Sequence, residues 1–163
     1  MIVLKKILVA TDFSEPSANA LAYGRDLARA YGATLHLLHV TENIMLRYAP
    51  EVGFAVPEMQ RDLDRAARRQ LDELISADAV RDLRVVPALE SATNAAAAIV
   101  AYAKAQIIDV IIVGTHGRGA MKQLLMGSVA ERVVRTAPCP VLAVRAHEHE
   151  FIAPDAVATQ TSV

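Results

Sequence analysis

"DVIIVGT", Asp109 to Thr115, is a run of branched aliphatic residues bounded by a carboxylate at one end and a glycine and threonine at the other. A strand with one wet face alternates apolar and polar residues. This run is apolar from Val110 to Val113, the pattern of a central parallel strand covered by helices on both sides. Four more short runs of the same kind flank it: "KILVAT" (Lys6 to Thr11), "TLHLLHV" (Thr34 to Val40), "RVVPALE" (Arg84 to Glu90) and "PVLAVR" (Pro140 to Arg145). Longer helical patterns separate them. The order β-α-β-α-β-α-β-α-β predicts an α/β fold, a doubly wound five-stranded parallel sheet with helices on both faces.

Between the strands, Ser14 is placed to cap a helix with Pro16 in its first turn and Gly32 at its end, and a core stripe of Ala18, Leu21, Ala22 and Leu27 or Ala28. In the second helix Met59, Leu63, Ala66, Ala67, Leu71, Leu74 and Ile75 recur at the spacing of one face. Arg61, Asp62, Arg65, Arg68, Arg69 and Asp72 fall on the other, a solvated face with i,i+4 pairs such as Asp64 to Arg68. The third pattern, "SATNAAAAIVAYAKA", is alanine-rich and can pack close to the sheet, and a fourth starts near Ser128. The segment Asn43 to Pro57 is irregular and apolar and reads as a lid or contact loop. One domain is expected over residues 1–146, followed by a flexible tail over 147–163.

Composition narrows the function. With 17 Lys+Arg against 18 Asp+Glu and no Trp, the chain lacks the basic surface and stacking platform of a nucleic-acid binder. No run has the length of a membrane span and "MIVLKKILVAT" lacks a signal peptide's order of regions, so a soluble, cytoplasmic protein is expected. A single cysteine, Cys139, suits a reducing compartment. His36 and His39 are an odd offset apart on one strand and therefore face opposite ways, which denies them a shared metal. His147 and His149 lack metal-site spacing.

Doubly wound sheets bind ligands beyond the carboxyl ends of their strands, which directs attention to Thr11, Asp12, Val40, Gly114 and Thr115. "GTHGRGAMKQLLMGSVAER", Gly114 to Arg132, gathers four of the seven glycines there and then opens a helix. Two readings are open. Glycine turns and a helix N-terminus present unpaired N–H groups that seat phosphates. Alternatively, Ser128-Val129-Ala130-Glu131 is a capping box that needs no ligand. Neither the P-loop pattern nor a complete G-x-G-x-x-G occurs, since Lys122 stands where the third glycine belongs.

The spacing Gly114-x2-Gly117-x9-Gly127-Ser128, with its flanks "ILVATDFSEPSANAL", "DVIIVGTHGRG" and "SVAERVVRTAPCPVLAVR", resembles the nucleotide-binding signature of the universal stress protein family, over about Leu4 to Arg145. The resemblance implies a Rossmann-like sheet ordered 3-2-1-4-5 with ATP across its carboxyl edge. By motif, Gly114, Gly117, Gly127 and Ser128 would contact ribose and phosphates, and Val129 would add a backbone N–H. Asp12 would sit by the ribose and a bound metal, Ala10 and Thr11 would line the adenine pocket, and the backbone of Val40 would pair with the adenine edge. Within the cradle, His116 is a candidate donor to phosphate, and Arg118 is open to two readings, a phosphate partner or a solvated loop arginine. A carboxylate beside phosphates is repelled unless it accepts ribose hydroxyls or shares Mg²⁺ with them, and the competing reading of Asp12 is an Asx turn opening the first helix. The resemblance further implies a homodimer through Pro140 to Arg145, and an ATP-binding regulator of the stress response with no catalytic residue assigned. The alternatives are a slow ATPase or nucleotidyl-transferring enzyme, and an interaction scaffold docking through the loop around Tyr48 and Phe54.

Overall fold

The computed structural model describes residues 1–46, 56–77, 80–115 and 126–145. Five parallel strands form one sheet: β1 (Lys6–Ala10), β2 (Thr34–Glu42), β3 (Val85–Ala92), β4 (Val110–Gly114) and β5 (Val141–Val144). Their order across the sheet is β3-β2-β1-β4-β5, as the resemblance implied. Among the described residues the main helices between them are α1 (Glu15–Tyr31), α2 (Val56–Ser76), α3 (Ala95–Gln106) and α4 (Ser128–Thr136).

Ile111, Ile112 and Val113 of β4 are all buried, so the continuous apolar run reports a strand covered twice. Strand alternation divides the core. Ile7, Val9, Leu35, Leu37 and Ile112 meet α1 and α2 on one face, while Leu8, Leu38, Ile111 and Val113 meet α3 and α4 on the other. Burying each such side chain contributes about 1.5–3 kcal/mol, so these two layers dominate the fold's favourable energy. Asp109 sets the β1–β4 register: its Oδ2 accepts from the N–H groups of Lys5 (2.7 Å) and Lys6 (2.8 Å).

α1 begins after Ser14, carries Pro16 in its first turn and ends at Gly32, whose left-handed φ of 61° closes it. Its buried face differs from the expected stripe. Ser17, Ala20, Leu21, Gly24 and Ala28 face the sheet, whereas Ala18 is exposed. The sequence pattern overlooks Gly24 because it has no side chain to count, yet a Cβ there would lie 2.3 Å from Val9 Cγ2. α1 therefore rides on the sheet at backbone contact distance.

The first half of α2 also departs from its expected stripe. Met59 (55% exposed) and Leu63 (44%) point outward, and the inward positions belong to Gln60 and Asp64. Gln60 Oε1 accepts from the Ile44 N–H (2.9 Å), its Nε2 donates to Asp64 Oδ1 (3.1 Å), and Thr41 Oγ1 donates to the same carboxylate oxygen (2.8 Å). Asp64 is thus turned toward β2, away from the solvated pairing with Arg68 that the sequence suggested. A polar network, which periodicity of apolar residues cannot register, decides that half of the helix. Ala67 and Leu71 restore the apolar face below it. The expected loop Asn43 to Pro57 has helical ends, at 44–46 and from Val56 onward, and 47–55, including Tyr48 and Phe54, lie outside the described residues.

Candidate functional site

The winding reverses between β1 and β4, so the crevice beyond Ala10 and Gly114 is the topological switch point of the sheet. Three elements converge on it: the β1–α1 turn, the carboxyl half of β2, and the β4 end with the start of α4.

In the first, β1 leaves the sheet through Thr11, Asp12, Phe13 and Ser14. Thr11 is buried, and its hydroxyl lies 3.1 Å from Ser17 Oγ and accepts from the Phe13 N–H (3.0 Å). Asp12 Oδ1 accepts from both the N–H (3.1 Å) and the hydroxyl of Ser14, which makes the Asx turn that opens α1. Ser14 occupies the N-cap position without a side-chain cap bond because its hydroxyl is turned to Asp12. Phe13 takes a left-handed φ of 63°, a conformation that costs an L-residue about 1–2 kcal/mol and persists only where contacts impose it. Its ring lies against His39, with centroids 4.4 Å apart.

In the second element the strand does not end at Val40. It runs on to Glu42, paired in register with Ala92 of β3. On the opposite edge the pairing stops earlier: the last rung to the β1 side is Thr11 N–H to Leu38 O (2.9 Å). Backbone groups alternate along a strand, so Val40, two residues beyond Leu38, directs its N–H and C=O to that same edge, past the last rung. Val40 is half-buried against the core of the α3 side.

In the third, Gly114 lies where β4 passes beneath the start of α1. A Cβ at Gly114 would fall 2.8 Å from both C and O of Pro16, so close packing alone requires glycine here. The Thr115 N–H donates to Val144 O (2.8 Å), and its carbonyl accepts from the Gly127 N–H, which ties the end of β4 to the start of α4. Gly127 is the N-cap of α4 in extended conformation, and Ser128 is its first helical residue. The expected capping box is therefore absent: the cap position is one residue earlier, Ser128 is exposed with no cap bond, and Glu131 Oε1 accepts from Arg135 Nη2 (2.6 Å). The first intrahelical donor is the Glu131 N–H, to Gly127 O (3.0 Å), which leaves the N–H groups of Ser128, Val129 and Ala130 ahead of the hydrogen-bond ladder. They carry the positive end of the helix dipole.

Of the residues singled out from sequence, Ala10, Thr11, Asp12, Val40, Gly114, Gly127, Ser128 and Val129 are gathered at this edge of the sheet. His116, Gly117 and Arg118 lie outside the described residues. Among the described residues no group of three or more His, Cys, Asp or Glu could hold a metal ion by itself. His36 and His39 do face opposite sides. His36 is buried, with Nδ1 2.9 Å from the Tyr102 hydroxyl, and burial, followed by the charge of Lys6, holds its imidazole below the ordinary range. In the sequence His39 counts only as half of a metal pair that strand alternation forbids, and no local signal marks its role. Its Nδ1 lies 2.7 Å from the Thr11 carbonyl oxygen, and since a carbonyl only accepts, Nδ1 carries the proton.

A family model described as the universal stress protein family matches residues 4–145. The chain belongs to that family. A universal stress protein of Thermus aquaticus is 34% identical over 143 residues, covering 88% of this chain and all of the relative. The solved structure of universal stress protein MJ0577 of Methanocaldococcus jannaschii superposes with a TM-score of 0.78 at 27% identity, covering 91% of this chain and all of that one. A universal stress protein of Archaeoglobus fulgidus, solved in complex with dAMP, shares the fold at a TM-score of 0.57 and 18% identity, over 88% of this chain and 99% of that one. Among the described residues of the present family member, no helix is long and apolar enough to cross a membrane.

Proposed function

We propose that this universal stress protein binds ATP with Mg²⁺ across the β1–β4 switch point and acts in the cytoplasm as a nucleotide-dependent regulator of the stress response. The observation that carries the reading is the pairing of two complementary features on one sheet edge. The Val40 backbone offers a donor and an acceptor beyond the last β1 rung, suited to the edge of a purine. The α4 N-terminus offers N–H groups ahead of the ladder, suited to phosphate oxygens. In this reading Thr11 and Ala10 would line the space between them, and Asp12 would accept from ribose hydroxyls. Magnesium would rest on Asp12, phosphate oxygens and water, a set in keeping with that ion's habit of keeping several waters. Family membership and the dAMP-bound fold relative support an adenine nucleotide. His116, Gly117 and Arg118 complete the phosphate cradle in this reading.

The test is calorimetric titration of the full chain with ATP and Mg²⁺, with Val129→Pro as the variant. Val129 is the second residue of α4, where proline removes an N–H without removing a helix bond. Pro16 already occupies the same position of α1. The expected result is wild-type binding and a loss of at least about tenfold in Val129→Pro, or about 1.4 kcal/mol, at an unchanged melting temperature. Absence of binding by the wild type, or equal binding by the variant, would overturn the assignment. Gly114→Ala is a poor control because its methyl group would strike Pro16 whether or not a ligand binds. Analysis of the incubated mixture for ADP or AMP separates a binding protein from a slow ATPase.

A further inference from the structure

The β1–β2 ladder stops one rung early because a side chain takes the next acceptor. Thr11 donates its N–H to Leu38 O, and in an unbroken parallel pair its carbonyl would next accept from the N–H of Val40. It accepts instead from His39 Nδ1, at 2.7 Å. The imidazole therefore takes the place of the next backbone donor, satisfying the buried residue's carbonyl and leaving the Val40 N–H on the open edge. The Phe13 ring packs on the imidazole, and the positive φ of Phe13 turns the chain after the Thr11 carbonyl, so that carbonyl is the last group of β1 within reach of β2.

We propose that His39 is a positioning residue that keeps the β2 edge at Val40 open for a ligand by occupying the Thr11 carbonyl. The proposal rests on the nucleotide reading for the identity of the ligand, but the backbone exchange of partners stands apart from that reading. Its consequence is specific: a side chain without a donor at this position frees the Thr11 carbonyl, which then captures the Val40 N–H. The ladder lengthens by one rung, the fold loses nothing, and the edge closes. A purely structural role predicts the opposite, that binding and stability fall together.

Two variants of the full chain separate these outcomes. His39→Asn keeps an N–H donor near the Nδ1 position, while His39→Phe keeps a ring for Phe13 and has no donor. Titrated with ATP and Mg²⁺, His39→Phe is expected to lose at least about tenfold in affinity and His39→Asn to stay within about threefold of wild type, with similar melting temperatures. In nucleotide-free protein, amide hydrogen exchange at Val40 is expected to slow in His39→Phe and to match wild type in His39→Asn. Wild-type affinity in His39→Phe, an equal loss in both variants, or unchanged Val40 exchange in His39→Phe would each overturn the proposal. If wild-type protein binds no ATP, the nucleotide reading fails, and Val40 exchange still decides the role of His39. If His39→Phe does not fold, the idea that the donor is dispensable to the fold is refuted.

Discussion

Ile107 closes α3 at φ 54° and ψ 58°, a left-handed conformation, with a β-branched side chain 77% exposed. Its N–H is the cap donor to the carbonyls of Ala103 and Lys104, so the geometry is imposed by the helix end and the side chain gains little in return. The left-handed region costs an L-residue about 1–2 kcal/mol, and glycine's extra unfolded-state entropy takes back up to about 1 kcal/mol of any gain. Ile107→Gly should therefore stabilise the protein by about 0.5–1 kcal/mol. Urea unfolding measures this directly, and a midpoint shift to lower urea would show that the isoleucine packs in a way its exposure conceals. Gly114 gives the complementary lesson. Its place in a glycine-spaced motif was legible in the sequence, but the backbone of Pro16 beneath it was not, because the two residues are 98 positions apart and meet only when α1 crosses the end of β4.

At the scale of elements, helix ends were easier to find than helix faces. Pro16 and Gly32 mark ends in the sequence and mark them in the structure, and at α3 the structure adds the cap Asn94, whose Oδ1 accepts from the Ala97 N–H at 3.0 Å. The faces of α1 and α2 depart in part from their apolar periodicity. Gly24 contributes by lacking atoms, and Gln60 and Asp64 turn inward because hydrogen-bonding partners wait on β2, β3 and the segment at Ile44. The α1 contact yields a prediction of definite sign. In an exposed helix, Gly→Ala gains about 1 kcal/mol from propensity. At position 24 the new methyl group would meet Val9, itself fully buried between α1 and its neighbouring strands, so Gly24→Ala should cost about 1–3 kcal/mol through overpacking. Thermal unfolding checks it, and a stabilised variant would mean that α1 can lift from the sheet at no cost. At α4 the serine that suggested a capping box is the first helical residue. The shift of one position leaves the helix N-terminus uncapped by its own side chains.

At the scale of the whole molecule, β5 lies at one margin of the sheet, as the resemblance implied, and Leu142 on it is exposed. The Ile111 N–H donates to Pro140 O and the Thr115 N–H to Val144 O, so even-numbered residues of β5 direct their backbone groups to β4. Val141 and Ala143 direct theirs outward. Among the described residues no strand pairs with this edge, an unpaired edge of this kind invites a second chain, and we propose that a homodimer forms through it. Ala143→Pro deletes an outward N–H while sparing every rung to β4, a substitution that edge strands tolerate. Sedimentation equilibrium should find wild-type dimer and variant monomer, and a dimer that survives the substitution would place the interface elsewhere. The sequence by itself determined the alternation of strands and helices, the doubly covered central strand and the strand ends where a ligand would gather, because each is written in local periodicity and in the residues that start and stop elements. Only the tertiary structure decided which glycines are required by close packing, which polar residues face inward, and how far β2 runs past β1 to leave Val40 on an open edge. Those outcomes depend on atoms contributed by distant parts of the chain: Pro16 against Gly114, Thr41 against Asp64, and His39 on the carbonyl of Thr11.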